Sequence, residues 1–162
     1  MLKIIHGDLF DYAAPGSIIA HGCNMQGVMG AGFAREIRYR FPKAFLEYRR
    51  VYSEGQLELG SFILVHTKGY NIYNCITQER YGRDPRIVYV DYKALRQSLK
   101  HVANYSAAND LPIHIPFIGA GHAHGDPDIL MNIFEEIFVR TNAVLYLQQD
   151  NHGHSNHPKH SR

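Results

Sequence analysis

Two glycine-rich stretches hold the residues best suited to chemistry. The first runs from His21 through Asn24, Gly27 and Gly30-Ala31-Gly32 to Phe33, leaving an apolar run and entering a helical pattern. Glycines at such a junction let a ligand approach the backbone, and the free N–H groups at a helix start seat an anion. Asn24 can donate and accept hydrogen bonds at the mouth of the strand. The second stretch, Ile118-Gly119-Ala120-Gly121-His122, leads through Gly125 to Asp126 and another helix start. Two such loops at the carboxyl ends of strands suit a diphosphate better than a single phosphate. Neither matches the Gly-x-x-x-x-Gly-Lys-[Ser/Thr] phosphate loop or the Gly-x-Gly-x-x-Gly dinucleotide fingerprint. An unperturbed histidine titrates near neutral pH, so His21 could activate water, or it could be a histidine bonded into a strand edge. Asp126 could serve the same chemistry, cap the following helix, or do both. His21, His122 and His124 show no metal-site spacing, so neither metal nor cofactor is expected.

The elements that must position these residues are short. Apolar runs at Leu2–His6, 17–20, 61–66, 71–76, 112–116 and Ala143–Leu147 read as buried strands. Helical patterns fill residues 31–40, a second segment from Pro42 to near Gly55, 92–105 and 128–140. Asp91 reads as an N-cap, and so does Asp126 or Asp128. Strands alternating with helices predict a layered α/β fold. Thr67-Lys68-Gly69 is too short for a crossover helix, so the runs on either side predict an antiparallel hairpin and a mixed sheet.

The totals narrow the class. A chain of 162 residues with 45% hydrophobic residues fits one domain with a real core. No apolar run approaches the roughly 20 residues of a membrane helix, and the start lacks a signal-peptide pattern, so a cytoplasmic protein with no membrane partner is expected. Of the 17 basic residues, Lys159 and Arg162 stand in residues 151–162, which hold no acid. The remaining body therefore balances its 15 acids. That neutrality, and the lack of an aromatic-basic motif, speak against a nucleic-acid-binding module. Cys23 and Cys75 form no framework and read as reduced, mostly buried thiols. Residues 151–162, with four histidines and no apolar residue, read as a disordered tail after a domain of residues 1–150.

Gly7-Asp8-Leu9, the run His21-Gly22-Cys23-Asn24 through Gly30-Ala31-Gly32-Phe33-Ala34, and Ile118-Gly119-Ala120-Gly121 occur in the order seen in macro domains, which this chain resembles over about residues 1–150. The similar branch comprises ADP-ribose 1''-phosphate phosphatases of yeast and phage type and terminal ADP-ribose glycohydrolases. The resemblance implies a three-layer α/β/α fold with a mixed central sheet of about six strands, commonly a monomer. It also implies that small ADP-ribose derivatives, or ADP-ribosylated macromolecules, are partners. Asp8, with the Leu9 backbone, would hold the adenine amino group, or Asp8 would cap a turn. Tyr146 would stack on adenine or belong to the core. Asn24 would bind the distal ribose, with Gly30, Ala31, Gly32 and Phe33 lining ribose and diphosphate. Ile118, Gly119, Ala120, Gly121 and His122 would wrap the diphosphate from the other side. His21 and Asp126 match catalytic positions of similar phosphatases and glycohydrolases. One departure stands out: Gln78 occupies the place of the glycohydrolase lysine, and a glutamine amide forms no Schiff base. The expectation is therefore metal-independent phosphate release from ADP-ribose 1''-phosphate, with an ADP-ribosyl glycohydrolase or a non-catalytic ADP-ribose reader as alternatives.

Overall fold

The computed structural model describes residues 2–148; the expected disordered tail, residues 151–162, lies outside them. The strands are β1 (Leu2–His6), β2 (Ile18–Asn24), β3 (Phe62–Thr67), β4 (Tyr70–Gln78), β5 (Ile113–Pro116) and β6 (Ala143–Leu147). The helices are α1 (Gly32–Arg40), α2 (Pro42–Ser53), α3 (Tyr92–Asn109) and α4 (Pro127–Phe138), with a 3-10 turn at Leu9–Asp11. The strands form one six-stranded sheet in the order β1-β6-β5-β2-β4-β3. Every neighbouring pair is parallel except β3 and β4, which form the expected antiparallel hairpin, Thr67 opposite Tyr70.

Alternation along β2 divides the core. Ile18 and Ala20 face α3 and α4, where they join Tyr73, Leu95, Leu99, Ile133 and Phe134. Ile19 faces the other way with Ile37, Ala44 and Ile72 beneath α1 and α2, and Cys23 packs there with Met29 and Tyr48. Both cysteines are free and buried, but they belong to different faces of the sheet. Helices on both faces make the three α/β/α layers.

The largest boundary differences from the sequence reading, at β2 and α3, have physical reasons. β2 runs on to Asn24, past the end of its aliphatic run, because β4 keeps pairing with it as far as Asn24 and Gln78. α3 continues to Asn109, where Asp110 turns the chain at φ 52. Asp91 caps α3 by accepting from the Ala94 N–H at 2.9 Å. Replacing that cap, Asp91→Ala, is expected to cost about 1 kcal/mol in urea unfolding; unchanged stability would show that the bond contributes nothing.

Candidate functional site

Parallel strands bring their carboxyl ends to one edge of the sheet, and a cleft of about 1080 Å³ opens there. His6, Pro116, Gly22, Gln78 and Leu147, from the ends of β1, β5, β2, β4 and β6, contribute to its lining. A smaller hollow of about 330 Å³ lies by Phe10, Arg40 and Lys68. Its cations are engaged already: Lys68 donates to the Arg40 carbonyl at 2.8 Å, and Arg40 pairs with Glu36 and stacks on Phe10.

One wall of the cleft is the start of α1. Ala31, Gly32, Phe33 and Ala34 line it, and no side chain caps the helix at Ala31. α3 and α4, by contrast, are capped by Asp91 and Asp126. The uncapped first turn presents N–H groups and the positive end of the helix dipole to the cleft. Gly32 takes φ +58, a conformation that favours glycine. The His122 imidazole stands over the same turn, its Cδ2 3.5 Å from where a Gly32 Cβ would lie.

The opposite wall is Ile118, Gly119, Ala120, Gly121 and His122. Gly119 sits at φ +90, and a Cβ there would meet Val90 Cγ2 at 2.9 Å. The Gly125 N–H closes this turn on the Gly119 carbonyl at 2.7 Å. The two glycine turns thus line one cleft at the strand ends.

At the β1 end, Asp8, Leu9 and Tyr146 also line the cleft. Asp8 Oδ1 accepts from the Phe10 N–H at 2.9 Å and caps the 3-10 turn. Tyr146 touches the cleft but is only 4% exposed; its hydroxyl is 2.6 Å from His114 Nδ1 and its ring packs near Tyr12.

Four expected site residues lie elsewhere. Gly30 belongs to the loop but not to the cleft lining. Asn24 is buried and builds that loop. Its Oδ1 accepts from Gln26 N–H at 2.9 Å and its Nδ2 donates to the Val28 carbonyl at 2.9 Å. From α2, the Tyr48 hydroxyl lies 2.6 Å from the Asn24 carbonyl and 2.8 Å from its Oδ1. His21 lies inside β2 rather than at its end, 1% exposed, beneath Phe33. Its Nε2 donates to Asn74 Oδ1 at 2.6 Å, while Asn74 Nδ2 donates to the Ala44 carbonyl at 3.0 Å. Burial pushes the imidazole down to about 4, so it is neutral near pH 7 and points into the core. Asp126 lies off the cleft lining and caps α4, accepting from Asp128 N–H at 2.8 Å and Ile129 N–H at 3.4 Å. His21 is thus held inside β2 and Asp126 at the start of α4, and neither lines the cleft. In the other direction, Gly22 is a cleft residue the sequence reading passed over. The available signal was a glycine inside an apolar strand, which marks close approach by backbone or ligand.

No model of a known protein family matches the chain. The chain is 29% identical to an ADP-ribose 1''-phosphate phosphatase of Candida albicans over 130 residues, 75% of this chain and 83% of that protein. It is 32% identical over 155 residues to an uncharacterized 17.5 kDa protein of Enterobacteria phage T4, covering 90% of this chain and 95% of the phage protein. Among solved structures, the macrodomain of Mycobacterium tuberculosis DarG superposes with a TM-score of 0.76 at 22% identity, covering 90% of this chain and 97% of that one. The chain belongs to the macro domain family.

The buried histidine sets a pH dependence. With the folded imidazole at about 4 and an unfolded value near 6.5, the unfolded chain binds the extra proton between those values. Stability is therefore full above about 6.5 and falls as pH drops toward 4, by on the order of 3 kcal/mol. His21→Gln is expected to flatten that loss in urea unfolding at pH 7 and 4.5, since burial of His114 acts alike in both proteins. An equal loss in the variant would remove His21 as the cause.

Proposed function

We propose that this chain binds ADP-ribose across the strand ends and hydrolyses the phosphate of ADP-ribose 1''-phosphate. The observation that carries the reading is the uncapped start of α1 facing the Gly119 turn across one cleft. Preorganised N–H groups there would hold the diphosphate and meet the charge that develops on a transferring phosphoryl group. The name of the Candida albicans relative supports the same substrate. Asp8 accepts the adenine amino group with the carboxylate oxygen that the 3-10 turn leaves unused.

In the reaction, water attacks phosphorus, the bond from phosphorus to the ribose C1'' oxygen breaks, and that oxygen takes a proton from solvent, giving ADP-ribose and inorganic phosphate. His122 takes the water proton, because it lines the cleft and stands over α1, whereas His21 and Asp126 do neither. His21 then acts through packing, beneath Phe33, and Asp126 through the cap of α4.

Calorimetric titration with ADP-ribose, beside a phosphate-release assay on ADP-ribose 1''-phosphate, tests the proposal. Saturable binding with release is expected. His122→Ala should lower kcat by about 10²-fold or more while ADP-ribose affinity changes little. Binding without release would make the chain a reader or a glycohydrolase, to be separated with ADP-ribosylated protein and DNA. No binding at high ligand concentration would end the reading.

A further inference from the structure

Three non-glycine residues take positive φ among the described residues: Lys68, Asp110 and His124. Lys68 sits in the β3–β4 hairpin turn and Asp110 ends α3, both ordinary places for such a conformation. His124, at φ 55, belongs to the loop after β5, whose residues 118–123 line the cleft. In the left-handed region a Cβ is crowded against the backbone. The same loop holds Gly119, Gly121 and Gly125, yet histidine stands at 124. A side chain kept in that conformation beside a site calls for a reason.

The imidazole supplies one. The His124 N–H closes a turn on the Gly121 carbonyl at 3.1 Å, and His122 stands inside that turn. His124 Nδ1 donates to the Ile87 carbonyl at 2.9 Å, and its ring packs against Tyr89 with centroids 5.8 Å apart. The Tyr89 and Val90 N–H groups donate to the Ala123 carbonyl, at 2.8 and 3.3 Å. Residues 87–90 thus anchor the turn, and they are fixed in their own right. Val90 bridges Gln78 at the end of β4, the Asp91 N–H donates to the Thr77 carbonyl at 2.8 Å, and the Tyr89 hydroxyl accepts from the Asp84 N–H at 3.1 Å. His122 is exposed and its side chain makes no hydrogen bond among the described residues, so the turn alone sets where it points.

We infer that His124 is a positioning residue: bonded to the Ile87 carbonyl, its imidazole holds the Gly121–His124 turn so that His122 stands over the start of α1. The inference rests on the reading of His122 as the base. The loop divides its duties. The Gly119 turn is closed by the Ala120 N–H on the Phe117 carbonyl at 3.2 Å and the Gly125 N–H on the Gly119 carbonyl at 2.7 Å, without the His124 side chain. Loss of the imidazole therefore reaches the rate, which depends steeply on where a catalytic group is placed, and leaves the diphosphate seat intact.

The test compares the full chain with His124→Gly, His122→Ala and the variant carrying both. Each is assayed for phosphate release from ADP-ribose 1''-phosphate, titrated with ADP-ribose by calorimetry, and melted. Glycine takes φ 55 freely, so it meets the backbone demand and removes only the imidazole. His124→Gly should lower kcat about tenfold, less than His122→Ala does. KM and ADP-ribose affinity should stay within about twofold. Added to His122→Ala, it should lower kcat no further, because both changes act on one group. Unchanged kcat in His124→Gly overturns the inference, as does a matching loss of ADP-ribose affinity. A second loss of the same size in the His122→Ala background also overturns it, because His124 would then act on something other than His122. So does a His124→Gly chain that is unfolded at the assay temperature, because the imidazole would then serve the fold itself. If the unchanged chain releases no phosphate, or His122→Ala keeps the full rate, the functional reading fails and the inference falls with it. If release occurs and needs His122 but His124→Gly keeps its rate, only the inference falls.

Discussion

The parallel run of β1, β6, β5, β2 and β4 is the constraint on which the site depends. Parallel strands send every following loop out of the same edge, so the segments after Asn24 and Pro116 meet although far apart in sequence. Reversing either strand would carry its glycine turn to the opposite end and leave half a cradle. The antiparallel β3 sits at the outer edge beside β4, where it extends the sheet without entering the cleft.

A second layer of constraint is polar and buried. α2 is tied to the sheet through the Asn74–Ala44 bond and to the first loop through the Tyr48–Asn24 bonds. In a low-dielectric interior such bonds are costly to leave unmade, so they fix one loop geometry rather than an ensemble. Asn24 and His21 belong to this scaffold. It holds Phe33 and the free end of α1 in place, which is how residues with no face on the cleft determine its shape.

How much of this was legible in the sequence depended on whether a residue's type implies its geometry. Glycine does. Gly32 and Gly119 both adopt positive φ where the chain turns at the cleft, and both could be placed in advance. Asp91 and Asp126, each just before a helical pattern, could be read as caps, and both cap. Thr67-Lys68-Gly69 was short enough to force a hairpin. Histidine and asparagine imply no such geometry. His21 and Asn24 carry the same side chains whether they face a ligand or the core, and strand pairing decides which. β2 pairs with β4 beyond its aliphatic run, which moves His21 from the strand end into the interior.

Whether the uncapped turn of α1 and the Gly119 turn together hold a diphosphate is tested most directly by amide chemical-shift mapping by NMR during titration with ADP-ribose. The largest shifts are expected on Gly32, Phe33, Ala34 and Gly119 to His122, all following one saturation curve. Shifts confined to other surfaces, or to only one of the two turns, would contradict it.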